Sequence, residues 1–261
     1  MQLRHMPQVD ASYWAAITLA SLFGTNLGDF YAHESGLGIV PGLAILTAVA
    51  ALVFLVERRD EAPRELYYWL AIIIIRTGAT NIADFLAYDA VGQIAPEGGR
   101  SGLADALVLA LTAVLAILLA LFGWLSIHRR DASESAAEET RGMPATGGAY
   151  WAAMLSAGVF GTVAGDVCSH AVGQGAASLL LAVALAGALA AWSAGGVRHL
   201  MLYWLTVGVA RTTGTAMGDW LAESSTANIG LPLATLITGV AFVAVLVWRS
   251  RGSDRSSSLA G

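Results

Sequence analysis

The chain has 261 residues, 56% of them hydrophobic and only 13% charged, with a mean hydropathy of +0.64 and a formal net charge of −5. That composition excludes a soluble globule and predicts an all-α, polytopic membrane protein whose main partner is the lipid bilayer. The mild acidity leaves no nucleic-acid footprint, the lone Cys168 excludes an intramolecular disulfide framework, and oligomeric state has no signal here.

In chain order, apolar stretches of about 20 residues, enough to cross a hydrocarbon core, fall near 12–32, 38–56, 67–89, 102–125, 149–171, 176–194, 200–223 and 229–248. Eight transmembrane helices are predicted. Basic residues in short loops stay on the cytoplasmic side. Arg4, then Arg58, Arg59 and Arg64, then Arg129, Arg130 and Arg141, then Arg198, and finally Arg249, Arg251 and Arg255 flank one set of helix ends; the opposite loops hold only Arg100. Both termini are therefore predicted to be cytoplasmic, with Tyr-Trp pairs at 13–14, 68–69, 150–151 and 203–204 forming an aromatic belt at the inner interface. Arg4 ahead of an apolar run also resembles the start of a signal peptide. The first helix is too similar to the fifth for that reading.

The similarity is an internal repeat. Fifteen residues after each tryptophan stands an aspartate, within Gly24-Thr25-x-x-Gly28-Asp29, Ala79-Thr80-x-x-Ala83-Asp84, Gly161-Thr162-x-x-Gly165-Asp166 and Gly214-Thr215-x-x-Gly218-Asp219. Each copy opens a two-helix hairpin whose second helix is almost wholly apolar. Odd copies share Phe23 or Phe160 and His33 or His170; even copies share Arg76 or Arg211. The order is A-B-A-B: residues 1–128 hold the first pair of hairpins, 129–148 a cytoplasmic linker, 149–250 the second pair and 251–261 a cytoplasmic tail. Because every hairpin contains two spans, all copies enter the membrane in one direction, which predicts a pseudo-two-fold axis along the membrane normal.

Helical spacing puts the motif residues on defined faces. Steps of four give the stripes Ser21-Thr25-Asp29-His33, Arg76-Thr80-Asp84-Tyr88, Gly158-Thr162-Asp166-His170 and Arg211-Thr215-Asp219-Glu223. Gly24 and Gly28, Gly161 and Gly165, and Gly214 and Gly218 lie four apart on an adjoining face, the small-xxx-small arrangement that lets helices approach closely in lipid. Helices 1, 3, 5 and 7 are thus predicted to surround a polar interior, with 2, 4, 6 and 8 as an outer ring.

An ionised side chain at mid-bilayer costs roughly 2.5–3.5 kcal/mol on insertion scales, so four aspartates and two arginines need an offsetting role. At about 1.5 Å per residue the aspartates lie roughly 22 Å, and the arginines roughly 10 Å, from the inner boundary. Arg76 and Arg211 then need carboxylates, carbonyls or a water-filled cavity. The plain alternative is packing glue: threonines and aspartates bonded across helices, arginines neutralising two acids.

Four aspartates less two arginines leave −2 in such a cavity with histidine neutral, which suits a cation. Asp29, Asp84, Asp166, Asp219, Thr25, Thr80, Thr162, Thr215, Arg76, Arg211, His33 and His170 are the candidate residues for a small solute or ion, with Asp29, Asp166, His33 and His170 as ligands if the cation is a bound divalent metal. No other cofactor is expected. The leading reading is a secondary transporter of a divalent metal or of a proton-coupled solute. An organic-anion carrier using the two arginines and a non-transporting scaffold are the alternatives. An intramembrane aspartyl hydrolase fits less well, since the acids number four and basic residues accompany them, so no catalytic residue is assigned.

The hairpin motif, present in four copies, resembles that of a family of bacterial integral membrane proteins assembled from a short repeat of unknown function, catalogued as uncharacterised membrane-anchored proteins. The resemblance implies tandem two-helix repeats in a bacterial inner membrane and no particular activity. Ala79 and Ala83 depart from its glycine pattern, while Thr80 and Asp84 keep the polar positions.

Overall fold

A computed structural model of the chain describes residues 6–60, 64–94, 101–128, 142–144, 146–195 and 200–258. Among these there are eight long helices and no strand: α1 (Ala11–Asp29), α2 (Ile39–Arg59), α3 (Leu66–Asp84), α4 (Ser101–His128), α5 (Gly148–Val172), α6 (Gln174–Gly195), α7 (Leu200–Glu223) and α8 (Leu231–Ser258). Two inner helices change pitch just after their aspartates. α1 continues as a π-helical segment, Phe30–Glu34, and α3 as Phe85–Ala90 followed by a short α-helical end, Val91–Ile94.

Six of the eight helices are long and apolar enough to cross a membrane: α2 to α6 and α8. The chain is thus a multi-pass membrane protein. The two that fall short of the eight expected spans are α1 and α7. Their sequences are diluted by Ser21, Thr25, Asn26 and Asp29 and by Arg211, Thr212, Thr213, Thr215 and Asp219, side chains that are buried in the bundle or, for the two aspartates, line its cavity. Two boundaries also differ from expectation. α8 runs through the predicted tail to Ser258, and most of the predicted linker, 129–141, lies outside the described residues.

The inner helices form a closed ring in which α1 packs on α3, α3 on α5, α5 on α7 and α7 on α1. The outer helices lie against the ring with a regular offset: α2 on α3, α4 on α5, α6 on α7 and α8 on α1. Each outer helix therefore supports the inner helix of the next hairpin. Their remaining faces are open, with Val40, Leu52, Leu109, Ile117, Leu180, Val183, Leu236 and Val240 among the exposed apolar side chains, as lipid-facing surfaces require. Only 6% of the most apolar stretch of α2 is buried, against 56% for α5.

Small residues set the spacing of the ring. A Cβ on Gly24 would come within 2.5 Å of Arg76 Cγ, one on Gly161 within 2.5 Å of Arg211 Cβ, and one on Gly214 would overlap Ser21. The departure at the second copy is met on the facing helix. Ala79 packs against Gly158, the one copy with no side chain at that height, so the methyl has crossed the interface and the helices still approach.

At one end of the bundle Asp10 caps α1 by accepting the Tyr13 backbone N–H at 2.7 Å. Arg249 of α8 donates to Asp10 Oδ1 at 2.7 Å and to Glu65 Oε2 at 2.9 Å, tying the last helix to the starts of α1 and α3. At the opposite end α5 turns into α6 through Gly173 alone, whose φ of 86° is a conformation that side chains resist.

Candidate functional site

Each inner helix presents one row of side chains, four residues apart, toward the centre of the ring, and the rows stack in layers. The layer nearest the Asp10–Arg249 end is a ring of tyrosines. Tyr13, Tyr68, Tyr150 and Tyr203 are fully buried, and their hydroxyls close a cycle: Tyr13 to Tyr68, Tyr13 to Tyr203 and Tyr68 to Tyr150 at 2.7 Å, Tyr150 to Tyr203 at 2.9 Å. Each hydroxyl can donate once and accept once around such a cycle, so the buried groups satisfy one another.

The tryptophans frame this ring. Each lies edge-on to its own tyrosine, with centroids 5.0–5.4 Å apart. The next tyrosine along also contacts it: Tyr13 with Trp69, Tyr68 with Trp151, Tyr150 with Trp204 and Tyr203 with Trp14. The expected interfacial belt is therefore corrected. The tyrosines, with Trp14, Trp69 and Trp204, are interior, and Trp151 is partly so.

Above the tyrosines sit Ile17, Ile72, Met154 and Val207, all fully buried, and then the two arginines. Both are 0% exposed. Arg211 donates to Ser21 Oγ at 3.2 Å and weakly to Met154 Sδ at 3.9 Å, leaving its Nε without a partner. Arg76 has more partners, although its Nε likewise has none. Its Nη1 donates to Thr80 Oγ1 at 3.0 Å and Thr162 Oγ1 at 2.9 Å, and its Nη2 to Thr215 Oγ1 at 2.6 Å and to Thr25 Oγ1. One guanidinium thus gathers the motif threonine of all four copies. Each threonine hydroxyl donates to the carbonyl four residues back, which leaves its oxygen free to accept. Gly158 contributes its bare carbonyl at 3.4 Å from Arg76 Nη1.

Neither arginine lies within 4.0 Å of a carboxylate among the described residues, so the packing-glue alternative, in which they neutralise two acids, lacks its direct ion pairs. Arg76 takes the threonine height, and Arg211 stays at the Ser21 height.

Above the threonines the row opens into a cavity of about 420 Å³ lined by Asp29, Asp84, Asp166 and Asp219, with the threonines as its floor and His33, Tyr88 and Glu223 on its walls. All four aspartates converge there. The surroundings differ between copies. His33 Nε2 lies 3.6 Å from Asp84 Oδ2, Asp166 accepts a bond from Tyr88 Oη at 3.1 Å, and His170 turns its Nδ1 to the Asp166 backbone carbonyl at 2.9 Å on an exposed face. Among the described residues the group able to bring three ligand atoms within 4.8 Å of one another is Asp29, His33 and Asp84; Asp166 and His170 are not part of it.

Residues 12–62 and 202–253 match the family model described as Repeat of Unknown Function (DUF347). Two segments of the chain are thus similar to this repeat. The two matches coincide with hairpins α1–α2 and α7–α8, neighbours across the ring although they lie at opposite ends of the sequence. No curated protein and no solved structure matches the chain. Between the two DUF347 segments, hairpins α3–α4 and α5–α6 supply Asp84 and Asp166 to the cavity that the repeats share.

Proposed function

We propose that this protein is a secondary transporter of a cation, a divalent metal or a proton-coupled solute, that binds among the four aspartates. In this reading all eight helices span a bacterial inner membrane as two A-B pairs about an axis along the membrane normal, with both termini cytoplasmic. The observation that carries it is the convergence of four carboxylates, one from each inner helix, on a single cavity. The four aspartates and the two arginines beneath them sum to −2 with histidine neutral, and Glu34, Asp89 and Glu223 also line the cavity, a negative balance that favours a cation.

The layers below the cavity supply the other half of a carrier, a closed side. The floor of Arg76 and threonines, the apolar layer and the tyrosine ring seal the axis, so solute reaching the aspartates has no continuous path onward. Alternating access then consists of the two halves rocking until the tyrosine cycle parts and the cavity mouth narrows. An organic-anion carrier would need a guanidinium presented to solute. Arg76 commits its Nη1 and Nη2 to threonines, and Arg211 lies beneath that layer, which favours the cation.

Reconstitution into liposomes with a panel of divalent cations and a pH-sensitive dye tests this. Wild type should show ion or proton flux that Asp29→Asn and Asp166→Asn each abolish. Equal flux from all three proteins, or none from folded wild type under any ion or pH gradient, overturns the proposal in favour of a scaffold.

A further inference from the structure

The four aspartates are equivalent in sequence but not in what surrounds them. α1 and α3 loosen into π-helical turns directly after Asp29 and Asp84, whereas α5 and α7 stay α-helical to Val172 and Glu223. A π turn inserts an extra residue and rotates the helix beyond it, a device often found at functional sites. In α1 it swings His33 toward the neighbouring helix, to 3.6 Å from Asp84 Oδ2. In α5, without that turn, the matching His170 stays on an outer face against its own backbone.

The result is a mixed ligand set on one wall of the cavity. Asp29, His33 and Asp84 can each offer one ligand atom with all three inside 4.8 Å of one another. Ligands sharing one ion at about 2.0–2.2 Å lie about 3–4 Å apart, so only small side-chain shifts separate this arrangement from a coordinated one. A second observation points to an occupant. Asp84 Oδ2 makes no hydrogen bond, its contact with His33 Nε2 being 3.6 Å long, although the side chain is only 14% exposed and its carboxyl faces the cavity beside a second carboxylate. Two such groups repel in an apolar bundle, and a bound cation removes both the repulsion and the unmet acceptor.

We propose that Asp29, His33 and Asp84 form a divalent transition-metal site. Two carboxylates and one imidazole suit borderline first-row ions such as Mn²⁺, Co²⁺ or Zn²⁺; Mg²⁺ and Ca²⁺ take oxygen ligands and gain little from the imidazole. Three protein ligands leave positions open for water, as an ion that must leave again requires. The site deepens the cation-transport reading by naming the class of ion, and it rests on that reading only for its purpose.

Purified protein in detergent, titrated with Co²⁺ and followed by visible absorption and calorimetry, tests the site without transport. Wild type should bind one Co²⁺ with ligand-field bands, at least tenfold more tightly than it binds Mg²⁺. His33→Ala, a substitution at a side chain 57% exposed and so tolerated by the fold, should weaken Co²⁺ binding tenfold or more; His170→Ala should leave it unchanged. Asp84→Asn should lose it with the tyrosine and tryptophan near-ultraviolet signal intact. Equal effects of the two histidine substitutions, no effect of His33→Ala, or parity of Co²⁺ with Mg²⁺ overturns the site. Binding that depends on His33 without flux in liposomes sinks the transporter and keeps the site; metal flux undiminished in His33→Ala does the reverse.

Discussion

Substituting the tyrosines by phenylalanine two at a time distinguishes a closed hydrogen-bonded cycle from four tyrosines that merely pack together. Tyr13→Phe removes the bonds to Tyr68 and Tyr203 and leaves the rings in place. At about 0.6–1 kcal/mol per bond inside a membrane protein, the loss is about 1–2 kcal/mol. Any other single substitution in the ring should cost a similar amount. The doubles separate the models. Tyr13→Phe with Tyr150→Phe, across the ring, removes all four bonds, so the two losses add. Tyr13→Phe with Tyr68→Phe, side by side, removes only three, because one bond is common to both singles. The adjacent double should therefore be less destabilised than the sum of its singles, by about one bond more than the diagonal double is. Reversible unfolding of the purified protein in mixed micelles, followed by tryptophan fluorescence, gives both cycles. Identical coupling for adjacent and diagonal pairs, or singles indistinguishable from wild type, refutes the cyclic arrangement. If the ring also seals a transport path, the diagonal double should leak ions in liposomes while each single remains tight.

The packing of the inner ring is equally open to test. Gly214→Ala places a methyl against the Ser21 backbone, with neighbours at 2.9 and 3.1 Å that cannot swing aside, and should cost about 1–3 kcal/mol in thermal unfolding. Gly187→Ala on the exposed face of α6 meets nothing within 4 Å and should be neutral or slightly stabilising. Asp10 gives a pH signature. Burial pushes its carboxyl upward, but bonds from Ser12, the Tyr13 N–H and Arg249 outweigh it and hold the group below its ordinary 3.8. A group depressed on folding adds stability above its unfolded value and loses it as pH falls through the folded one. The difference in melting temperature between wild type and Asp10→Ala should therefore be full at neutral pH and shrink below about pH 4; a difference that stays constant across that range would show that the cap acts through shape alone, and one that grows on acidification that the carboxyl is not depressed.

Much of this architecture is legible in the residues. The Thr and Asp positions recur at a fixed spacing, small residues mark the contact face, and the second helices lack charge, which together place inner and outer helices correctly. The tyrosines are legible too, but the tryptophans beside them are the more conspicuous signal. Tyr13, Tyr68, Tyr150 and Tyr203 stand sixteen residues before the aspartates, four steps down the same row that holds the threonines and arginines, while the tryptophans stand one residue off it. A row of i, i+4 positions leans about 26° from its helix axis. Whether its far end still faces the centre depends on how steeply the helices cross, and that is a property of packing. The fate of the arginines is hidden for a different reason: repeated sequences suggest repeated roles, but one guanidinium takes all four threonines and the other takes none. The aim of His33 depends on a π turn for which Phe30–Glu34 carries no local signal.

The regular offset of the outer helices bears on how such a chain arises. The seams that join residues before the linker to those after it, α4 on α5 and α8 on α1, are the same kind of seam that holds α2 to α3 and α6 to α7. A stand-alone four-helix unit would expose one surface of each gender, and a second identical unit turned through half a revolution would satisfy both. Covalent fusion changes little in that assembly except concentration. Its chief gain is the freedom to let corresponding positions differ, as Ser21 and Gly158 do.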